Sequence, residues 1–156
     1  MKGSRDVNEC VANPWWVGDR GAWTFAYLNV GLMLVAMGEW CLNKWVVKPM
    51  YVWEDGVVGM VVHGYANDFF AGLFLLGYTN VLVMWMGRRT WAVSRWWQVG
   101  LMMLMVGLFW EGVTPMYWQR STGDVFDLLM YLLGGGVYIG LVKVCGLWVG
   151  GNKERS

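Results

Sequence analysis

Residues 125–149 read VFDLLMYLLGGGVYIGLVKVCGLWV, and Asp127 and Lys143 are the only charged groups in that run. A helix needs roughly 20 predominantly apolar residues to cross a hydrocarbon layer about 30 Å thick. The run is therefore predicted to be a transmembrane helix. Its chemistry must come from the few polar residues that interrupt it.

Three further stretches of similar character precede it, at residues 22–42, 69–86 and 96–113. The chain has 156 residues, of which 57% are hydrophobic and 15% charged, so it has room for one compact bundle. A soluble protein this short could not bury four fully apolar helices. We predict a single domain over residues 1–156, an all-α integral membrane bundle of four helices with antiparallel neighbours.

The distribution of basic residues predicts the orientation of this bundle. Eight of them precede the first span, separate the second and third spans, or follow the fourth, against three on the other side. Short loops rich in Lys and Arg stay in the cytoplasm. Residues 1–20 contain no apolar core of a cleaved signal peptide, so the first span is predicted to be an uncleaved anchor. Both termini are therefore predicted to be cytoplasmic.

The connection between the first two spans, residues 43–68, is the longest one. Its beginning, around Lys48 and Pro49, is predicted to be a loop. Residues 56–66 are apolar but too short to cross, so they could lie in the interface, dip into the membrane and return, or extend the second helix. Asn67 and Asp68 are predicted to cap the second helix.

Glycines occur in every predicted span, and Gly136-x-x-x-Gly140 has the spacing that lets two helices approach closely in lipid. Such a pair can pack against another helix of the same chain or form the seam of a homodimer. We favour packing within the chain.

The acidic residues of the spans give the main functional hypothesis. Glu39 and Glu111 fall in the last turns of spans one and three, while Asp68, Asp124 and Asp127 open spans two and four. Because alternate helices run in opposite directions, all five carboxylates are predicted to lie at the extracytoplasmic level. The loops on that side also carry His63 and Arg120. The candidate ligand-binding residues are Glu39, His63, Asp68, Glu111, Arg120, Asp124 and Asp127.

Structural roles compete with this hypothesis. Asp68 and Asp124 can cap helix N-termini, where a negative charge is favourable. Glu39 and Glu111 lie at the unfavourable end of the helix dipole, so capping cannot explain them. Ion pairs could: Lys44 is the candidate partner of Glu39. Arg120 is the candidate partner of Glu111 or Asp127.

Five carboxylates that face one small pocket repel one another unless a cation, an arginine or a shifted protonation state stabilises them. Such a pocket suits a divalent cation, with Glu111, Asp124 and Asp127 as the candidate ligands, or a cationic or metal-bridged phosphate headgroup. The chain has no phosphate-binding glycine loop, so no nucleotide site is expected. A nucleic acid is not an expected partner either.

Residues 120–134, RSTGDVFDLLMYLLG, resemble the closing motif of VanZ-like membrane proteins, which places an Arg and one or two Asp before the final helix. His63 before an apolar helix and Glu111 at the end of the penultimate helix are similar to positions in that family. This chain has Tyr131 where the family usually has Asn. The resemblance implies an envelope protein of the bacterial inner membrane, and some relatives are associated with lowered susceptibility to glycopeptide antibiotics.

Three functions fit these features. The first is binding of an envelope component, a membrane lipid or lipid-linked phosphate, in the acidic pocket without catalysis. The second is an intramembrane hydrolase that uses carboxylates or a metal on a lipid phosphate; no nucleophile with an adjacent base is evident. The third is a small dimeric cation-coupled transporter, although no carboxylate is predicted near the membrane midplane. We rank them in this order.

Overall fold

The computed structural model of the protein describes Pro14, Trp16 and residues 19–50, 65–110 and 125–153. Within these ranges there is no strand, and the α-helices longer than one turn are α1 (Asp19–Leu42), α2 (Ala66–Trp85), α3 (Trp96–Leu108) and α4 (Val125–Lys153). Three helical segments are long and apolar enough to cross a membrane: Asp19–Val47, Ala66–Trp85 and Val125–Leu147. The predicted all-helical fold is confirmed for the described residues, and three of the predicted spans are helices that could cross a membrane. The third predicted span continues past the last residue described there, Trp110.

Helix α1 does not end in a loop as predicted. It continues through a π-helical turn, Asn43–Val47, into one α-helical turn, Lys48–Met50. The prediction of a loop around Pro49 is therefore wrong. Proline has no amide hydrogen to donate, and the wider turn before it already interrupts the regular hydrogen-bond pattern.

This continuation changes the position of Glu39. The residue lies in the last turn of α1, as expected, but the chain stays helical for eleven residues after it, through the π-helical and α-helical turns. At about 1.5 Å per residue, Glu39 lies roughly 16 Å before the end of the described helix. Because the helical turns continue past it, Glu39 does not meet the free carbonyl groups of a helix end, and the predicted unfavourable dipole at this residue is wrong.

Helix α2 begins at Ala66, so Asn67 and Asp68 lie inside its first turn and not before it. The capping residue is Tyr65, whose side chain makes no capping hydrogen bond. The prediction that Asn67 and Asp68 form the cap is wrong. Asp68 still lies where the helix dipole favours a negative charge.

The core is built around α2 and α4. Helix α1 packs mainly on α2, and α3 packs on α4. Phe25, Leu76, Met103 and Tyr138, one from each helix, are fully buried where these surfaces meet. Because α2 and α4 also contact each other extensively, they form the centre of the bundle.

Glycines allow these helices to approach closely, but not the predicted pair. An added Cβ at Gly134 would meet the carbonyl oxygen of Phe69, and one at Gly135 would come within 2.9 Å of the Met103 side chain. No described atom lies within 4 Å of the corresponding positions at Gly136 and Gly140. The expectation that Gly136 and Gly140 pack within the chain is wrong, since they lie on the face of α4 that points away from the bundle.

Tryptophan side chains are exposed near the ends of the described helices. Trp23, Trp85 and Trp96 are 65%, 84% and 74% exposed, and Trp45 is 67% exposed beyond the end of α1. Indole rings favour the headgroup level of a bilayer because they combine an apolar body with a polar N–H. Their exposure fits a bundle surrounded by lipid.

Candidate functional site: an acidic cleft at one end of the bundle

Contacts between helices show which residues share one end of the bundle. The side-chain amide of Asn43 donates from Nδ2 to Asn67 Oδ1 over 3.0 Å. The Tyr131 hydroxyl donates to Asp68 Oδ1 over 3.2 Å. The segment after α1, the first turn of α2 and the second turn of α4 therefore meet at one end, which we call the cleft end.

A cleft of about 310 Å³ opens between the helices at this end. Its wall is mostly aliphatic and aromatic. Glu39 is the only charged side chain among the described residues that line it. The full described lining is Ala36, Met37, Glu39, Trp40, Asn67, Phe70, Ala71, Phe74, Leu75, Trp110 and Tyr131.

Glu39 is the most unusual member of this lining. Its residue is only partly buried, but its Oε2 atom is inaccessible and has no hydrogen-bond partner among the described residues. A buried polar atom without a partner costs about 1–3 kcal/mol, and more when it is charged. Because Oε2 itself is inaccessible, a ligand in the cleft would offset this cost only by bringing a donor or a positive charge to the exposed side of the same carboxylate.

The candidate ion pair between Glu39 and Lys44 does not form. The Lys44 ammonium lies 4.6 Å from the centre of the Trp40 ring, where the negative ring face attracts it. The charge of Lys48, on the turn beyond, acts electrostatically on Glu39. Neither lysine is among the described lining residues of the cleft.

The other predicted site residues divide into two groups. Asp68 lies at the cleft end, bonded to Tyr131, and Asp127 lies in the first turn of α4, one turn before Tyr131. His63, Glu111, Arg120 and Asp124 lie outside the described residues, so their roles in the site stay predictions. Among the described residues, no three His, Cys, Asp or Glu side chains are grouped closely enough to hold a metal.

Sequence reasoning missed a polar cluster in the core. The Tyr138 hydroxyl donates to Asn29 Oδ1 over 2.9 Å and accepts from Asn80 Nδ2 over 2.5 Å. Asn29 Nδ2 donates to the carbonyl oxygen of Phe25 over 2.7 Å. All three side chains are fully buried. Two asparagines inside apolar spans were the available signal, because polar residues there usually bond between helices.

Asn80 also fixes the connection between α2 and α3. Its side chain accepts from the Val93 amide over 2.7 Å and donates to the Val93 carbonyl over 2.9 Å. Arg89, in the same connection, pairs with Asp19 at the start of α1 over 3.0 Å. These contacts tie the helices together at the end opposite the cleft. Hydrogen bonds therefore join helical segments at both ends of the bundle, and the cleft end differs in having the apolar opening.

Comparison of the chain with models of known protein families, with curated proteins and with solved structures finds no match. The function must therefore be inferred from the residues of the cleft.

Proposed function

We propose that the chain is a four-crossing protein of the bacterial inner membrane that binds an envelope component in this cleft. In this proposal both termini are cytoplasmic and the cleft end faces the outside. The positive-inside bias of the loops supports that orientation. The contacts between α1 and α2 support antiparallel neighbours. Asn43, after the end of α1, bonds to Asn67 at the start of α2, whereas Asp19, at the start of α1, pairs with Arg89 after the end of α2.

The observation that carries the proposal is the buried carboxylate oxygen of Glu39, which has no hydrogen-bond partner among the described residues and lies in a mostly apolar wall. A purely structural acid in a membrane bundle is expected to have a partner. Ligand pockets are commonly apolar with a few polar groups that orient the ligand. A membrane lipid or lipid-linked envelope precursor would reach such a cleft directly from the bilayer.

The resemblance to VanZ-like proteins remains a hypothesis, and so does an effect on susceptibility to envelope-directed antibiotics. Hydrolysis of a lipid phosphate would need groups beyond the described lining, such as Glu111, Asp124 or a divalent cation. A homodimer also remains a hypothesis, and the open face at Gly136 and Gly140 would be its seam.

One observation favours cation-coupled transport as a second candidate. Glu39 is an acid within a helical segment, Asp19–Val47, that is long and apolar enough to cross a membrane, and ionisable residues in such segments often mark ion pathways. Cation-driven uptake by proteoliposomes that is lost in Glu39→Gln would support transport. Binding without uptake would leave the first function.

Native mass spectrometry of the protein released from bilayer nanodiscs tests the proposed function. We expect the wild type to retain a bound membrane component, and Glu39→Gln to lose it. Asp19→Asn is the matched control, because it makes the same change at an exposed acid on the same helix. Equal retention by the wild type and Glu39→Gln, or no retained molecule in either, would contradict the proposal.

A further inference from the structure

We propose that the occupant of the cleft carries a monovalent ammonium group on an apolar body, with the ammonium group at Glu39. This inference rests on the proposed function and names its ligand class. An anionic headgroup and an uncharged lipid are the alternatives that the experiment separates.

Charge is the first argument. The described wall presents one carboxylate and no basic side chain. A phosphate placed against it would meet a negative charge, whereas a single positive charge would be neutralised. In a low-dielectric cleft such complementarity decides which charge type can enter.

The missing hydrogen-bond donor is the second argument. Glu39 Oε2 can only accept while the carboxylate is ionised, and no described donor reaches it. The one hydroxyl in the described wall, that of Tyr131, donates its hydrogen to Asp68. A primary ammonium group supplies donors and charge together, and charge-assisted hydrogen bonds are the strongest ones.

The aromatic wall is the third argument. Trp40, Phe70, Phe74 and Trp110 surround the carboxylate with ring surfaces, which attract cations as well as apolar groups. Trp40 already holds the ammonium of Lys44 over its ring at 4.6 Å. The Trp40 ring is thus already paired with a cation of the chain itself, and Phe70, Phe74 and Trp110 supply the other rings of the wall.

The size of the cleft limits the part of the ligand that it encloses. A volume of about 310 Å³ lies at the lower end of the range for ligand pockets, roughly 300–1,000 Å³. That is enough for an ammonium group with a ring or a short chain. A longer apolar tail would extend into the bilayer.

Three probes of similar size test the charge requirement: phenethylammonium, the neutral propylbenzene and the anionic phenylacetate. Binding is measured by calorimetry on the full chain in phosphatidylglycerol nanodiscs. We expect phenethylammonium to bind and to lose about tenfold or more in affinity in Glu39→Gln, as for loss of a charged hydrogen bond. Asp19→Asn should stay within about twofold of the wild type, since exposed ion pairs contribute little. Unchanged helicity by circular dichroism shows that each variant is folded.

A second arm identifies the source of the ammonium group. Phosphatidylethanolamine is compared with phosphatidylcholine at one fixed phosphatidylglycerol content, so that the charge of the bilayer stays constant. If phosphatidylethanolamine weakens phenethylammonium binding and phosphatidylcholine does not, the natural source is a lipid headgroup; if both have the same effect, the source is a free amine. Equal or tighter binding of phenylacetate or propylbenzene, or equal binding of phenethylammonium by Glu39→Gln, would overturn the inference. If the probes give either of these results but mass spectrometry finds a retained membrane component, the ligand class is wrong and the proposed function stands. If no probe binds and no component is retained, both the ligand class and the proposed function are wrong.

Discussion

The Tyr138 hydroxyl joins three helices through a single oxygen atom, because it donates to Asn29 on α1 and accepts from Asn80 on α2. Neither amide can turn to water, since both are fully buried. In lipid the helices gain little from apolar contact alone, because the tails are as apolar as the side chains. This hydroxyl therefore helps to choose which faces of α1, α2 and α4 meet.

We expect Tyr138→Phe to lower the free energy of unfolding by about 1–2 kcal/mol, because it leaves two buried amides without one of their partners. Unfolding in mixed micelles, followed by circular dichroism, measures the change. Tyr78→Phe is the control, since Tyr78 is 45% exposed and its ring stacking on Phe74 survives the change. An equal loss in both variants would mean that the Tyr138 hydroxyl does not stabilise the core.

Glu39 is the candidate site residue that could be singled out without coordinates. It is the one acid in an otherwise apolar run, and a charge there is costly unless it has a function or a partner. Its surroundings could not be predicted, because they depend on which faces of α1 and α2 meet. The same holds for Lys44, which could reach either an acid or an aromatic ring.

At the scale of elements, composition was sufficient to locate the helices and insufficient to set their ends. The length of an apolar run does not depend on which way its side chains face. The predicted ends of α1, α2 and α4 therefore lie within about four residues of the observed ones. The π-helical turn before Pro49 and the early start of α2 depend on local hydrogen bonds that the sequence does not specify. Residues 51–64, including most of the apolar segment 56–66, lie outside the described residues.

The glycines of α4 show why a motif alone does not identify a packed face. Gly134, Gly135 and Gly136 are consecutive, and successive residues of a helix point about 100° apart. Two of them contact other helices and the third does not. Spacing predicts that a helix has a small-residue face, and only the neighbouring helices decide whether that face is used.

We expect Gly134→Ala to destabilise the bundle by about 1–3 kcal/mol, because the new Cβ would overlap the Phe69 carbonyl and push α2 from α4. The matched change Gly136→Ala should be neutral or stabilising by up to about 1 kcal/mol, since alanine favours a helix and the site is open. Unfolding in mixed micelles compares the two. A similar loss at both positions would show that Gly136 also packs against another surface.

At the scale of the whole molecule, the two ends of the bundle differ in kind. The opposite end is tied by Asn80 to Val93 and by Arg89 to Asp19. The cleft end has an apolar opening with a carboxylate in its wall. Hydrogen bonds between helices occur at the cleft end too, so the opening is the feature that distinguishes the two ends, and it agrees with a protein that receives a ligand at one end of its bundle.

The central claim is that acids from separate helices lie on the extracytoplasmic side. Single-cysteine variants, made in a chain whose native cysteines are replaced by serine, test it by labelling with a membrane-impermeant maleimide. Cysteines at positions 44, 111 and 124 should react when the reagent is added outside intact spheroplasts. Cysteines at positions 19 and 88 should react only after the membrane is opened. Labelling of position 111 or 124 only from inside, or of position 19 from outside, would contradict the account.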